Sequence, residues 1–349
     1  MEPILVLTHA DETGSALTKA SLEAITAGQE LSARLSAPLA IGILAADTTP
    51  LTKGLPSAGP RPLAVSGEAF AQPRYSTDAA ALEALCRAAQ PTIVLAPASS
   101  RFARVAAAVA HRLGGFIDTH IAALGGPESA SPGTLEATRW FYRQRVEAVL
   151  TRETRPWFLL LDAGVAKPFA PDPSAVPPQI EQVPVQLPTL RTTVTGLRAP
   201  TQGAQTIRPD AKLLLVAGAG WTKKQPDGQA HVPEAASLIL GFLSATGASL
   251  GSSKSLVDQG SEGNSVLPFL THLNQVGQTG ATPRHAKGLS TCCHGEEPHV
   301  VGWRFIASRR AISLDPNCGW TRGKADVVYI ADAFQVIAKL NALLETAKP

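Results

Sequence analysis

Short runs dominated by apolar residues alternate with amphipathic, alanine-rich stretches through the first half of the chain. Ile4–Leu7, Leu39–Leu44, Thr92–Ala96 and Phe158–Leu161 are compact enough for buried strands. Between and beside them, Ser21–Leu35, Ala79–Ala89 and Arg104–Leu113 carry apolar positions at helical spacing. Strands that alternate with helices predict an α/β fold, a largely parallel sheet covered by helices on both faces. The segment Thr138–Leu150 alternates bulky and charged residues, Trp140, Tyr142, Arg143 and Arg145 among them, and predicts added β structure.

The pattern changes between Lys167 and Pro188. Pro168, Pro171, Pro173, Pro177, Pro178, Pro184 and Pro188 deny a regular hydrogen-bond ladder and favour an extended linker. At 349 residues the chain exceeds one typical core. Two domains are therefore expected, an N-terminal α/β domain over 1–190 with the proline-rich linker at its end, and a second α/β domain over 191–349. The second opens with a predicted strand at Lys212–Val216, the turn Gly218-Ala219-Gly220 and a helix at Val232–Ala245. Strand, glycine turn and helix N-terminus is the Rossmann-like geometry that receives phosphates.

Charge narrows the partners. The formal net charge is +3 with both signs interspersed, and neither a basic arm nor an aromatic-basic ladder occurs, which argues against nucleic acid. No apolar stretch reaches membrane-spanning length, and Met1 leads almost directly into a strand, so a cytoplasmic protein without membrane insertion is expected. Four cysteines, Cys86, Cys292, Cys293 and Cys318, sit in a long chain with the look of an intracellular protein, where a disulfide framework is not expected. Adjacent Cys292 and Cys293 lack zinc-knuckle spacing, so no metal is expected; Leu289–Cys293 reads as a short buried strand whose end delivers His294.

The most informative stretch is Gln275-Val276-Gly277-Gln278-Thr279-Gly280, reached through Gly251-Ser252-Ser253-Lys254-Ser255-Leu256-Val257-Asp258. Its glycines let backbone N–H groups approach a planar ligand or a diphosphate, and Gln278 and Thr279 add donors. The two segments resemble the flavin-site motifs of the electron-transfer flavoprotein α subunit. The likeness continues through His294-Gly295-Glu296-Glu297-Pro298-His299 and Ile312-Ser313-Leu314-Asp315-Pro316 to Ala331-Asp332-Ala333-Phe334, and Ile4–Leu7 with Leu22–Ile25 resembles the family's opening strand and helix.

The resemblance implies bound FAD in the second domain. It assigns Ser253, Lys254, Gln275, Val276, Gly277, Gln278, Thr279, His294, Gly295, Glu296, His299, Ser313 and Asp332 to the cofactor. Lys254 stands at the family's arginine beside the flavin ring, Thr279 at a donor to a ring nitrogen, and His299 at a histidine near the pyrimidine-side carbonyl. Ser313 and Asp332 fall on the adenosine side. The implied protein is an electron carrier rather than a substrate-converting enzyme. It pairs with an electron-transfer flavoprotein β subunit, takes electrons from a flavin-dependent dehydrogenase and gives them to a quinone-linked oxidoreductase. The chain departs from the family at Ala219, Pro298 and Ser313, where an arginine, a glutamine and an asparagine are usual. Two other readings stay open, an adenine-nucleotide-using α/β enzyme and a flavin-free interaction subunit; the absence of a complete P-loop counts against the first.

Overall fold

The computed structural model describes residues 2–125, 135–142, 146–172, 174, 176–196, 207–208, 211–259, 266–277, 282–291, 305–318 and 325–346. The chain is α/β and divides into two compact units, Met1–Phe141 with Val146–Leu197, and Tyr142–Arg145 with Arg198–Pro349.

In the first unit the described strands are β1 (Ile4–His9), β2 (Leu39–Ala45), β3 (Arg61–Ser66), β4 (Ile93–Pro97), β5 (Phe116–Leu124), β6 (Ala137–Phe141), β7 (Val146–Leu150), β8 (Trp157–Leu161) and β9 (Glu181–Gln182). They form one sheet in the order β7-β6-β5-β8-β4-β1-β2-β3-β9. All neighbours are parallel except β5–β6 and β6–β7, the added β structure expected over Thr138–Leu150. Helix α1 (Lys19–Leu35) covers one face. Helices α2 (Tyr75–Ala89), α3 (Ser100–Ala103) and α4 (Ala106–Arg112) cover the other. The alternation along β1 explains the two layers, since Ile4 and Val6 join the core beneath α1 while Leu5 and Leu7 join Leu82, Leu85 and Val109. Each large side chain so buried contributes about 1.5–3 kcal/mol before conformational entropy is charged against it.

The proline-rich stretch is a strap rather than a simple linker. Val165, Ala166, Phe169 and Ile180 pack on the α1-side core, and Val183 and Val185 pack on the opposite one. Between them β9 adds in parallel to β3, with Val183 N–H bonded to Ala64 O at 2.7 Å. Arg61 grips Glu181 through Nε at 3.0 Å and Nη2 at 2.8 Å. Wrapping β3 in this way covers a strand edge that would otherwise invite pairing with another chain.

The second unit contains β10 (Leu213–Ala217), β11 (Ser249–Ser252), β12 (His285–Thr291), β13 (Ile306–Ser313) and β14 (Val327–Ile330), with helices α5 (Val232–Thr246), α6 (Lys254–Asp258) and α7 (Ala333–Thr346). Its sheet runs β11-β10-β12-β13-β14, and every pair is parallel. Strand order therefore reverses between β10 and β12, and the carboxyl ends of those strands are where open α/β sheets bind their ligands. Beneath them lies a core of Leu215, Ala217, Trp221, Ile239, Leu250, Ile312, Phe334 and Ile337.

Candidate functional site

Every candidate residue that the structure describes lies at the carboxyl edge of the second sheet. Ser253 and Lys254 follow β11, Gln275, Val276 and Gly277 lie beside that strand's end, Ser313 closes β13, and Asp332 follows β14. Five parallel strands at the usual spacing place the outer two about 19 Å apart, the span of an extended dinucleotide. Gln278, Thr279, His294, Gly295, Glu296 and His299 lie outside the described residues, as do Cys292 and Cys293.

On the β11 side the chain is closely tied. Ser253 is 2% exposed, its N–H donates to Ala217 O at 2.9 Å, and its Oγ accepts from Leu256 N at 3.2 Å as the cap of α6. Capping uses the lone pairs of this hydroxyl and leaves its proton to donate. A 3-10 turn, His272–Asn274, packs against the same edge. Thr271 Oγ1 accepts from Leu273 N at 3.2 Å, Asn274 Oδ1 accepts from Thr271 N at 3.2 Å, and Asn274 Nδ2 donates to Leu250 O at 3.3 Å.

That anchored turn delivers the glycine loop. Val276 N–H bonds to Ser252 O at 3.1 Å, extending the parallel pairing by one bridge, Ser252 to Gln275. Gly251 permits the approach, because a Cβ there would stand 2.5 Å from Val276 Cγ2. Gly277 has φ 83°, the left-handed region where a side chain is strained, and its N–H donates to Thr282 Oγ1 at 2.8 Å. Ser252 Oγ is buried without a hydrogen-bond partner among the described residues.

Across the switch point, Gly218 N–H donates to Thr291 O at 2.9 Å. Trp221 is fully buried, donates Nε1–H to Thr291 Oγ1 at 2.8 Å and packs on Phe334 with ring centroids 4.6 Å apart. It forms a floor that neither composition nor motif announces. Ala219, where the family has arginine, is wholly buried beside it. On the far side Ser313 Oγ accepts from Asp315 N at 3.2 Å, and Asp332 Oδ1 accepts from Phe334 N at 2.8 Å in the first turn of α7. Asp332 therefore caps the start of this helix.

Lys254 is 54% exposed, and its Nζ stands 3.8 Å from Asp258 Oδ2 one helical turn on. A half-exposed pair of this kind is weak, so the ammonium remains able to turn to a ligand. The motif places Asp258 at its end without a role, and the sequence reading assigned none to Asn274, Thr291 or Trp221. For Asn274 a signal existed in Thr271-His272-Leu273-Asn274, a capping-box spacing. Taken together, the free hydroxyl proton of Ser253, the lysine, the left-handed Gly277 and the unpartnered Ser252 hydroxyl fit a flavin dinucleotide. They supply donors and a cation to an electron-rich, anionic group.

The first unit has a switch point of its own, between β1 and β4. There the His9 ring is 8% exposed, its Nδ1 lies 2.8 Å from Ala10 O and its Nε2 2.9 Å from Ser99 Oγ, and Phe102 packs edge-on at 5.1 Å. Burial, with the Arg101 charge nearby, holds this imidazole below its usual pKa. The carbonyl fixes the Nδ1–H tautomer, so Ser99 donates to Nε2. His9, Ser99 and Phe102 thus pack together at this switch point, and Asp11 and Glu12 follow β1 with negative charge.

Among the described residues no group of three or more His, Cys, Asp or Glu side chains could hold a metal ion. Cys86 is a buried thiol pushed up to about 12 by desolvation. No described helix is long and apolar enough to cross a membrane. No curated protein matches the chain. The electron transfer flavoprotein domain matches residues 6–188, the first unit almost entirely and more than half of the whole. The chain belongs to the electron transfer flavoprotein family, whose members carry electrons and do not convert substrates.

Proposed function

We propose that this chain is the α subunit of a heterodimeric electron-transfer flavoprotein and holds FAD along the carboxyl edge of its second sheet. It receives electrons from a flavin-dependent dehydrogenase and passes them to a quinone-linked oxidoreductase, with a β subunit completing the shell of the site. The observation that carries this reading is the meeting of Ser253 and Lys254 with Gln275, Val276 and Gly277 at the end of β11, from sequence positions about twenty residues apart. The bound flavin supplies reversible one- and two-electron chemistry. Ser253 orients it, Lys254 favours the negative charge that reduction brings, and Trp221 closes the floor against water. Ser313 and Asp332 reach the adenosine end.

Co-expression with a β subunit, followed by a visible spectrum and identification of the released flavin, tests the reading. FAD absorbance near one per heterodimer is expected, as is reduction by a flavin-dependent dehydrogenase. A colourless, stable complex would leave the flavin-free interaction subunit as the correct class.

A further inference from the structure

Asp258 ends α6, one helical turn after Lys254, so both side chains share a face of the helix. Its Oδ2 lies 3.8 Å from Lys254 Nζ, and its Oδ1 lies 3.7 Å from Nδ1 of His272. Lys254 belongs to the segment after β11, whereas His272 belongs to the turn that delivers Gln275, Val276 and Gly277. One carboxylate therefore faces both arms of the crevice wall. Among the described residues, β11 and the 3-10 turn Ala219–Trp221, which also lie against these elements, carry no ionisable side chain. Because the pair is weak, the ammonium can leave the carboxylate for a ligand, and the presence of the carboxylate sets how far it does so.

Resting on the flavin reading of this crevice, we infer that Asp258 is a positioning residue for the site, the counter-ion that competes with the ligand for the Lys254 ammonium and so draws that charge back along this face of α6. Asp258→Asn keeps the shape and removes the charge. In the flavin-loaded complex it should shift the first one-electron potential upward, while Asp258→Glu should restore the parent value. If the effect runs through Lys254, the upward shift should shrink to a small remainder in a Lys254→Gln background, the non-additivity expected of coupled sites. Flavin-free protein provides a separate readout. Carbodiimide treatment should join Lys254 to Asp258 as a zero-length cross-link visible in a peptide map.

An unchanged or lowered potential in Asp258→Asn, an equal upward shift in both backgrounds, or failure of the cross-link would overturn this role while leaving the flavin assignment standing. A complex that binds no flavin would overturn the reading of the crevice and this role with it.

Discussion

At the scale of single residues, Lys254 is the sharpest point of the site. Replacing it with Gln should leave the fold and most FAD binding in place and lower the first one-electron potential of the flavin, because the cation favours only the more negative form. The loss should be about 1 kcal/mol for a half-exposed side chain, readable in a reductive titration. Equal potentials in parent and variant would make Lys254 an ordinary surface charge. His9 carries a different prediction. Its folded pKa lies below the usual 6.5, so its contribution to stability is fully present above pH 6.5 and is lost as pH falls from there toward the folded value. His120 works oppositely, because the neighbouring Asp162 raises its pKa, so the two must be separated by comparison with His9→Gln. Between pH 7.5 and 5.5 the parent's melting temperature should fall more than the variant's; parallel curves would refute the assignment. Ser253 and Lys254 were legible from motif and order. Asp258 was legible as the last residue of that motif, but its second neighbour was not, because His272 comes from a distant turn.

At the scale of elements, the sequence located β1, β2, β4, β8 and β10 because these buried parallel strands are short, continuous and apolar. Strands β3, β5, β11, β13 and β14, with more polar or exposed positions, were not anticipated. The expected helix over Arg104–Leu113 is present as Ala106–Arg112, and a separate short helix that was not expected, Ser100–Ala103, precedes it, capped by Ser99 accepting from Phe102 N. The reason for this added helix is tertiary. Arg101 is buried and donates Nε at 3.1 Å and Nη2 at 2.8 Å to Asp78 of α2, and Nη2 also reaches Phe70 O at 2.8 Å. Asp78→Ala should cost about 3–5 kcal/mol, since it leaves a buried guanidinium unpaired, whereas Asp78→Leu with Arg101→Met should recover most of that loss. Chemical denaturation measures both, and a loss below 1 kcal/mol for the single variant would show the pair to be solvated. The strap was likewise beyond the sequence reading. Its prolines do limit regular pairing, yet Glu181–Gln182 between two of them still adds to β3 because only a two-residue ladder is asked of it.

At the scale of the whole molecule, each unit has its own sheet and its own buried clusters. Calorimetry of the purified protein should therefore resolve two transitions, and only the one belonging to the second unit should rise with flavin content, because a ligand stabilises the unit that binds it. A single transition, or a shift of both, would tie the units together more closely than their separate cores suggest. The outer strand β14 presents Val327, Tyr329 and Ile330 at 39%, 44% and 55% exposure. Expressed without a partner, the chain should be poorly soluble or flavin-poor. Recovery of a stable FAD-loaded monomer would count against the heterodimer.

The sequence by itself determined the class of the fold, the alternation of strands and helices and the position of the glycine loop, because periodicity and turn chemistry act over a few residues and need no partner to be read. Tertiary structure alone decided the rest. Which way the second sheet is ordered, that Ser252 and Gln275 become neighbours, that Trp221 fills the floor beneath Thr291, and that His9 packs with Ser99 and Phe102 at the first switch point all depend on contacts between segments far apart in the chain. Their partners are chosen by packing and hydrogen-bond satisfaction in three dimensions, and local pattern carries no record of that choice.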